Sequence, residues 1–233
     1  MIIFRMVEKP KNNALSDVLD INKIKAVNQP IDRAHGLPNE CYTSPEYLLI
    51  ERERIFKDKW TVIGVGSSVP NPGDALPYNL LGIPLIILRD KKKKLKVFHN
   101  VCSHRGFKLL NEPTSLKNVI RCPYHSWSYD FEGKLVATPH IGGLNIHTSD
   151  KFNKSKSNLK EVRSKVWMDI IFVNINENEK KFNEYVRPLE ERWSKFISKE
   201  DQNSLAYSRD HGCFSFEVKS NWKFAIENYC ESY

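Results

Sequence analysis

The spacing of apolar positions changes several times along this chain, and each change marks a new kind of element. Residues 1–42 are polar and Asn/Lys-rich without clear periodicity. They read as an N-terminal arm with at most a short helix near Ala14 to Leu19. Thr43-Ser44-Pro45-Glu46 then has the marks of a helix start: a hydroxyl cap, a proline in the first turn, and Glu three residues after Thr43. Leu48, Leu49, Ile55, Phe56 and Trp60 recur at near-helical spacing with Glu51, Arg52, Glu53 and Arg54 between them. The pattern predicts a helix over 44–57 within a leading segment 43–59.

From Trp60 the period shortens to that of strands. Thr61–Val65, Ala75–Tyr78, Ile83–Arg89 and Leu95–His99 are short β-like runs, broken by Pro70-Asn71-Pro72-Gly73-Asp74, Leu81-Gly82 and a lysine turn. Asn118–Arg121 leads into a further loop, Trp127–Phe131 and Lys134–Ala137 form a hairpin about Glu132-Gly133, and Val166–Asn174 reads as one closing strand. Together they predict a small antiparallel β domain over 60–175.

After Asn176 the sequence turns charged and helical, with Phe182, Tyr185, Val186 and Leu189 on one face, continuing to Trp193 and Phe196. Leu205–Ser208 and Phe214–Val218 read as strands and Asn221–Tyr229 as a helix. The fold class expected is mainly β with flanking helices.

Composition narrows the function. With 233 residues, 40% hydrophobic and 27% charged, the chain has the makeup of a soluble globular protein. No apolar run approaches the roughly 20 residues a membrane span needs, and the start lacks a signal-like core, so a cytoplasmic place is expected. The formal charge of +8 is concentrated at Lys91-Lys92-Lys93-Lys94. Lying between two strand-like runs and unaccompanied by any nucleic-acid-binding motif, this reads as a solvated turn. A basic face also suits docking to an acidic electron carrier. Five cysteines in so long a chain make no disulfide scaffold. Cys41, Cys213 and Cys230 read as reduced thiols or small buried hydrophobes.

The chemistry lies in two short hooks. Cys102-Ser103-His104 is followed, after 17 residues, by Cys122-Pro123-Tyr124-His125. Each hook offers one thiol and one imidazole. A [2Fe–2S] cluster with two Cys on one iron and two His on the other needs that donor set, and its imidazoles raise its potential relative to an all-thiolate cluster. Structural zinc is the alternative, although its usual hooks pair Cys with Cys and His with His. His99 and His140 lie near the hooks, but their spacing does not make them ligands.

The stretches Asn100–Gly106 and Cys122–Trp127 closely resemble the Rieske motif of ring-hydroxylating oxygenase large subunits, with Ser126 where that family usually has Gly. The end of the chain, Asn221-Trp222-Lys223 through Glu227-Asn228 to Glu231 and Tyr233, resembles the helix that opens the catalytic domain of the same oxygenases. There the motif continues to two His which, with a later carboxylate, bind a mononuclear iron. Here the sequence stops one residue before the first of them, and none of the seven histidines lies beyond His211. The resemblance therefore implies a complete Rieske domain and a truncated start of an α+β catalytic domain over 180–233. In such a fragment Trp222, Phe224 and Ile226 are expected to be exposed.

The same resemblance implies the roles. Cys102 and Cys122 would hold the inner iron, and His104 and His125 the outer one. An NAD(P)H-dependent reductase or ferredoxin would supply electrons. The cluster would pass them to a mononuclear Fe(II), present only in a full-length form, in a neighbouring subunit of a homotrimer. Glu231 matches the acid that bridges a Rieske His, here His125, to an iron-bound His across that interface. Glu rather than Asp at this position points towards members acting on quaternary amines such as choline or carnitine. This chain alone is expected to be inactive as an oxygenase. A stand-alone Rieske electron-transfer protein is the other reading, and the helix at 221–233 favours the oxygenase.

Overall fold

The computed structural model describes residues 15–208 and 217–231. The chain divides into two compact units, Phe56–Cys213 and a second formed by Met1–Ile55 with Phe214–Tyr233. Ala14, His211, Cys213 and most of the strand expected at Phe214–Val218 fall outside the described residues; Glu217 and Val218 are in no strand.

Ten antiparallel strands build the larger unit: β1 (Thr61–Val65), β2 (Asp74–Leu80), β3 (Ile83–Arg89), β4 (Leu95–His99), β5 (Thr114–Ser115), β6 (Ile120–Arg121), β7 (Ser128–Tyr129), β8 (Leu135–Ala137), β9 (Arg163–Trp167) and β10 (Ile170–Asn174). They form three sheets, ordered β1-β10-β9, β4-β3-β2-β5 and β6-β7-β8. The mainly β class read from the pattern is the one found.

Strand β3 explains the packing. Leu85, Ile86, Ile87 and Leu88 are all fully buried. Successive side chains point to opposite faces, so Leu85 and Ile87 join one core with Ile63, Ile171 and Val173. Ile86 and Leu88 join the other, with Phe98, Cys102, Ile120, Cys122, Trp127 and Tyr129. An uninterrupted apolar run is what a strand covered on both faces requires. The second core carries the two hook cysteines, so the hooks are seated on the central strand's far face.

The lysine run is the turn between β3 and β4. Asp90, itself buried, accepts from the amides of Lys92 and Lys94 through Oδ1, at 2.8 and 2.7 Å, while the four lysines stay exposed. At the Glu132-Gly133 turn only glycine fits: φ is +79° and an added Cβ would lie 2.6 Å from the Phe98 ring.

Three of the predicted elements need correction. The single strand at 166–174 is a hairpin, because Met168 and Asp169 both take positive φ, 51° and 64°, and reverse the chain. Such turns usually announce themselves with Asn-Gly or Asp-Gly, which this sequence lacks. Leu205–Ser208 is not a strand: the Tyr207 amide donates to the Asp169 carboxylate instead of to a ladder. The helix expected at 44–57 splits into two pieces, an α-helix and a π-helical turn over Arg52–Phe56.

Among the described residues, two α-helices belong to the larger unit. In α4 (Phe182–Trp193) Phe182 and Val186 are buried, and Phe182 meets Trp60 edge to face at 5.1 Å. After it, α5 (Lys199–Ser204) starts at a Ser198 cap.

The smaller unit holds α1 (Ile21–Val27) and α2 (Glu40–Thr43) before α3 (Pro45–Glu51), which is capped by Ser44, not Thr43. Ser44 Oγ accepts from Tyr47 N, whereas the Thr43 hydroxyl donates back to Asn39 O. The last helix, α6 (Trp222–Cys230), begins at Asn221, whose side chain accepts from Lys223 N. Trp222 is not exposed as expected: its indole donates to Glu51 at 3.0 Å. Phe224 and Ile226 are exposed.

Candidate metal centre

Both hooks fold by the same rule. In the first, Cys102 N donates to Phe107 O and Gly106 N to Cys102 O, at 2.8 and 2.9 Å. In the second, Cys122 N donates to Trp127 O and Ser126 N to Cys122 O, at 2.8 and 3.0 Å. The fourth residue after each cysteine is left-handed, Gly106 at φ 67° and Ser126 at φ 58°. Glycine adopts that conformation freely and serine at a cost. The departure at Ser126 is thus a strained position, beyond a mere change of size.

The matched turns place like donors together. Cys102 and Cys122 are each 2% exposed and sit in one core. The imidazoles of His104 and His125 lie at the surface with ring centres 4.9 Å apart. His104 stacks on Trp127 at 4.5 Å and 9°, while His125 lies against Tyr124 at 3.6 Å. Flat stacking on a buried indole fixes the His104 ring in the direction its backbone hook gives it.

Burial pushes the Cys122 thiol up, and the Cys102 thiol beside it adds to this; the amides of Tyr124 and His125 oppose the rise by donating to the sulfur. Those same amides would stabilise a thiolate once a cation shares the site. His104 is held below the usual imidazole range by burial, then by His125 and Arg105, so its ring favours the neutral form that binds metal.

Tyr129 was not singled out from sequence, yet its hydroxyl lies 3.2 Å from Cys102 Sγ, 3.1 Å from Ser103 N and 2.8 Å from Ser103 Oγ. Burial and the Cys102 contact push its phenol far above the ordinary value. Asn100 was noted only as part of the motif; it is fully buried and bonds across the first hook. Nothing in a tyrosine two residues after Trp127, or an asparagine after a strand, signals these contacts in advance.

A tetrahedral zinc asks for four donors on a single ion. An inner thiol pair and an outer imidazole pair suit instead a two-iron core, in which each iron takes two protein donors. The donor set fits that group.

The remaining candidates are not among these four donors. His99 is a half-buried residue of β4, held below the usual imidazole range by burial and by Lys160 and Lys57. His140 lines a cavity of about 490 Å³ together with His104, Tyr124, His125 and Trp127. Its Nδ1 accepts from Asn145 N at 2.9 Å, which closes the loop it belongs to. Glu231 is in the smaller unit, exposed at the end of α6, where its amide donates to Glu227 O. Cys41 is buried and Cys230 exposed.

Comparison with known proteins is consistent with this geometry. The profile of the Rieske [2Fe-2S] domain matches residues 59–148. The carnitine monooxygenase oxygenase subunit of Acinetobacter pittii is 31% identical over 202 residues, 87% of this chain and 52% of that protein. Biphenyl dioxygenase subunit alpha of Metapseudomonas furukawaii is 26% identical over 88% of this chain and 45% of its own length. Among solved structures, the quaternary ammonium Rieske monooxygenase CntA with γ-butyrobetaine superposes with a TM-score of 0.71 at 29% identity, covering 85% of this chain and 54% of that one. The chain spans about half the length of the curated relatives it matches.

Proposed function

Since this chain belongs to the Rieske [2Fe–2S] proteins and is homologous to the large subunits of Rieske oxygenases, we propose that it is the electron-relay part of such an oxygenase. The observation that carries the proposal is the pairing of two buried thiols with two outward imidazoles on matched hooks. Cys102 and Cys122 would hold one iron as thiolates, and His104 and His125 the other. When bound, the cluster supplies one-electron storage at a potential raised by its imidazole ligands.

The chain's own residues do the rest. The second core keeps water from the sulfur side, and Trp127 and Tyr124 hold the two imidazole rings at the surface, where electrons arrive and leave. An NAD(P)H-dependent reductase or a ferredoxin is the donor, which places the work in the cytoplasm. The acceptor would be a mononuclear Fe(II) bound by two His and a carboxylate, supplying a site where O2 and substrate meet. We assign those ligands to the part of the relatives that this sequence does not span. Glu231 would then be the acid that links an iron-bound His to His125 of a neighbouring subunit in a trimer. The functional limits we propose are 1–42 (arm), 43–59 (leading segment), 60–175 (Rieske domain) and 180–233 (start of the catalytic domain), with α4 and α5 of the last belonging to the larger compact unit.

Relatives at the head of the comparison act on carnitine, and glycine betaine monooxygenase is also among them. With Glu at 231, a small quaternary amine is the preferred substrate class. An aromatic ring is the second reading, favoured by the match to biphenyl dioxygenase.

Reconstitution with iron and sulfide tests the relay. The protein should turn red-brown and give the low-average-g EPR signal of a mixed-ligand cluster, reducible by NADH through a ferredoxin reductase. By itself the chain should consume no O2 with carnitine or biphenyl. A colourless protein with one zinc per chain would overturn the assignment.

A further inference from the structure

The two hooks share their internal bonds but differ in what closes them. The second lies in a hairpin, with β6 entering and β7 leaving: Ile120 pairs with Tyr129 and Arg121 with Ser128. The first is entered from β4, which ends at His99, but it is left through residues 107–110, which belong to no strand. One side chain makes the rungs that a strand would have made. Asn100 Oδ1 accepts from Leu109 N at 3.0 Å and Leu110 N at 2.9 Å, and its Nδ2 donates to Leu110 O at 2.7 Å. The Asn100 backbone amide is tied to Pro84 O on β3 at 2.9 Å.

Few side chains can do this. A carboxylate accepts both amides but cannot donate to Leu110 O, and an apolar side chain leaves two N–H groups and a carbonyl unpaired in a site where Asn100 is fully buried and Leu109 3% exposed. The exit of the first hook is thus held to β3 through the Asn100 amide, which lies two residues before Cys102 and four before His104.

Resting on the Rieske reading above, we propose that Asn100 is a positioning residue for the cluster. By standing in for the absent strand it sets the exit of the first hook, and with it the aim of one thiolate and one imidazole. Groups that orient metal ligands from outside cost about 10- to 100-fold in metal affinity or activity when removed. A residue that only satisfied buried backbone would lower stability and leave the bound cluster's electronic structure alone.

The test uses the whole chain reconstituted with iron and sulfide, as wild type, Asn100→Asp and Asn100→Ala. Three properties are read: EPR g values, midpoint potential, and the rate of iron loss to a chelator. Asn100→Ala should lose iron about 10- to 100-fold faster and show shifted, broadened g values. Asn100→Asp, which keeps both acceptor contacts, should fall between it and wild type. Native-state hydrogen exchange on the wild type is the companion measurement. There the amides of Leu109 and Leu110 should exchange as slowly as those of Cys102 and Cys122, a requirement of the proposal that can fail even if neither variant folds. Asn100→Ala with wild-type g values, potential and iron-loss rate but a lower melting point would overturn the proposal, as would fast exchange at Leu109 and Leu110. A wild type that gives no mixed-ligand signal would instead refute the Rieske reading itself.

Discussion

The Tyr129 hydroxyl lies 3.2 Å from Cys102 Sγ, inside the core that also buries both hook cysteines. Ser103 N donates to that hydroxyl, and Ser103 Oγ lies 2.8 Å from it, where it too can donate. A thiolate has no proton to give, so with Cys102 in its metal-binding form the phenol is the donor of this pair. Hydrogen bonds to cluster sulfurs favour the more electron-rich reduced state. Tyr129→Phe should therefore lower the midpoint potential. If about 1 kcal/mol of a charge-assisted bond is specific to reduction, the drop is about 40 mV. Redox titration followed by EPR reads it; an unchanged potential with the cluster intact would show that the phenol does not donate to Cys102.

Ser126 tells a different story about the same hooks. Its φ of 58° matches Gly106 at 67°, at the equivalent position of the other hook. A non-glycine residue there costs about 1–2 kcal/mol, partly offset in any glycine replacement by the entropy glycine loses on folding. Ser126→Gly should raise stability to chemical denaturation by roughly 0.5–1 kcal/mol. A loss of stability would mean that the Ser126 side chain contributes more than its backbone costs.

Gly133 makes the converse case. With φ at 79° and the Phe98 ring 2.6 Å from where a Cβ would stand, the fully buried Phe98 has nowhere to retreat. Overpacking and left-handed strain add to about 3 kcal/mol for Gly133→Ala. Urea unfolding should show it, and a cost below about 1 kcal/mol would mean that the turn relaxes.

Much of the larger unit was legible because its signals are local. The apolar run at Leu85–Leu88 announces a strand covered on both faces, the Asp90–Lys94 turn announces solvent, and the hook spacing announces a donor set. What was missed depends on long-range contacts. Met168 and Asp169 reverse the chain without a turn residue, their hairpin fixed by contacts from Ser67 and Tyr207 to the Asp169 carboxylate. The strand expected at 205–208 reads correctly as an apolar run, but its backbone finds a carboxylate in place of a neighbour. Tyr129 and Asn100 are ordinary residues until the fold brings Cys102 and Leu110 to them.

In the smaller unit, alkaline pH is the probe of one contact. Tyr42 donates to Glu227 at 2.6 Å, and that carboxylate, followed by burial, raises the phenol to about 12. A folded-state value above the unfolded one of about 10 means that the native form keeps its proton longer. The contribution is thus fully present below pH about 10 and is lost as pH rises towards 12. Glu227→Gln should flatten the loss of stability over that window; an unchanged alkaline limb would leave Tyr42 without a role in it.

The same unit is also held by a buried ion pair, which carries the sharper energetic test. Lys223 Nζ lies 2.7 and 2.9 Å from the two Glu51 oxygens, the side chains are 10% and 4% exposed, and Trp222 Nε1 donates to the same carboxylate. The rings of Tyr42, Tyr47 and Trp222 lie 5.1–5.5 Å from the ammonium, so a cation is satisfied there from several sides. Removing one partner leaves the other charge buried and alone, at about 3–5 kcal/mol, whereas replacing both with apolar groups of similar size is often close to neutral. Lys223→Met should therefore be strongly destabilising, and the double change Glu51→Leu with Lys223→Met should recover most of that loss. Hydrogen exchange of the α3 and α6 amides reads this unit apart from the sheets. If the double variant is as unstable as the sum of the singles, the pair is not coupled, and the aromatic ring contacts hold α6 without it.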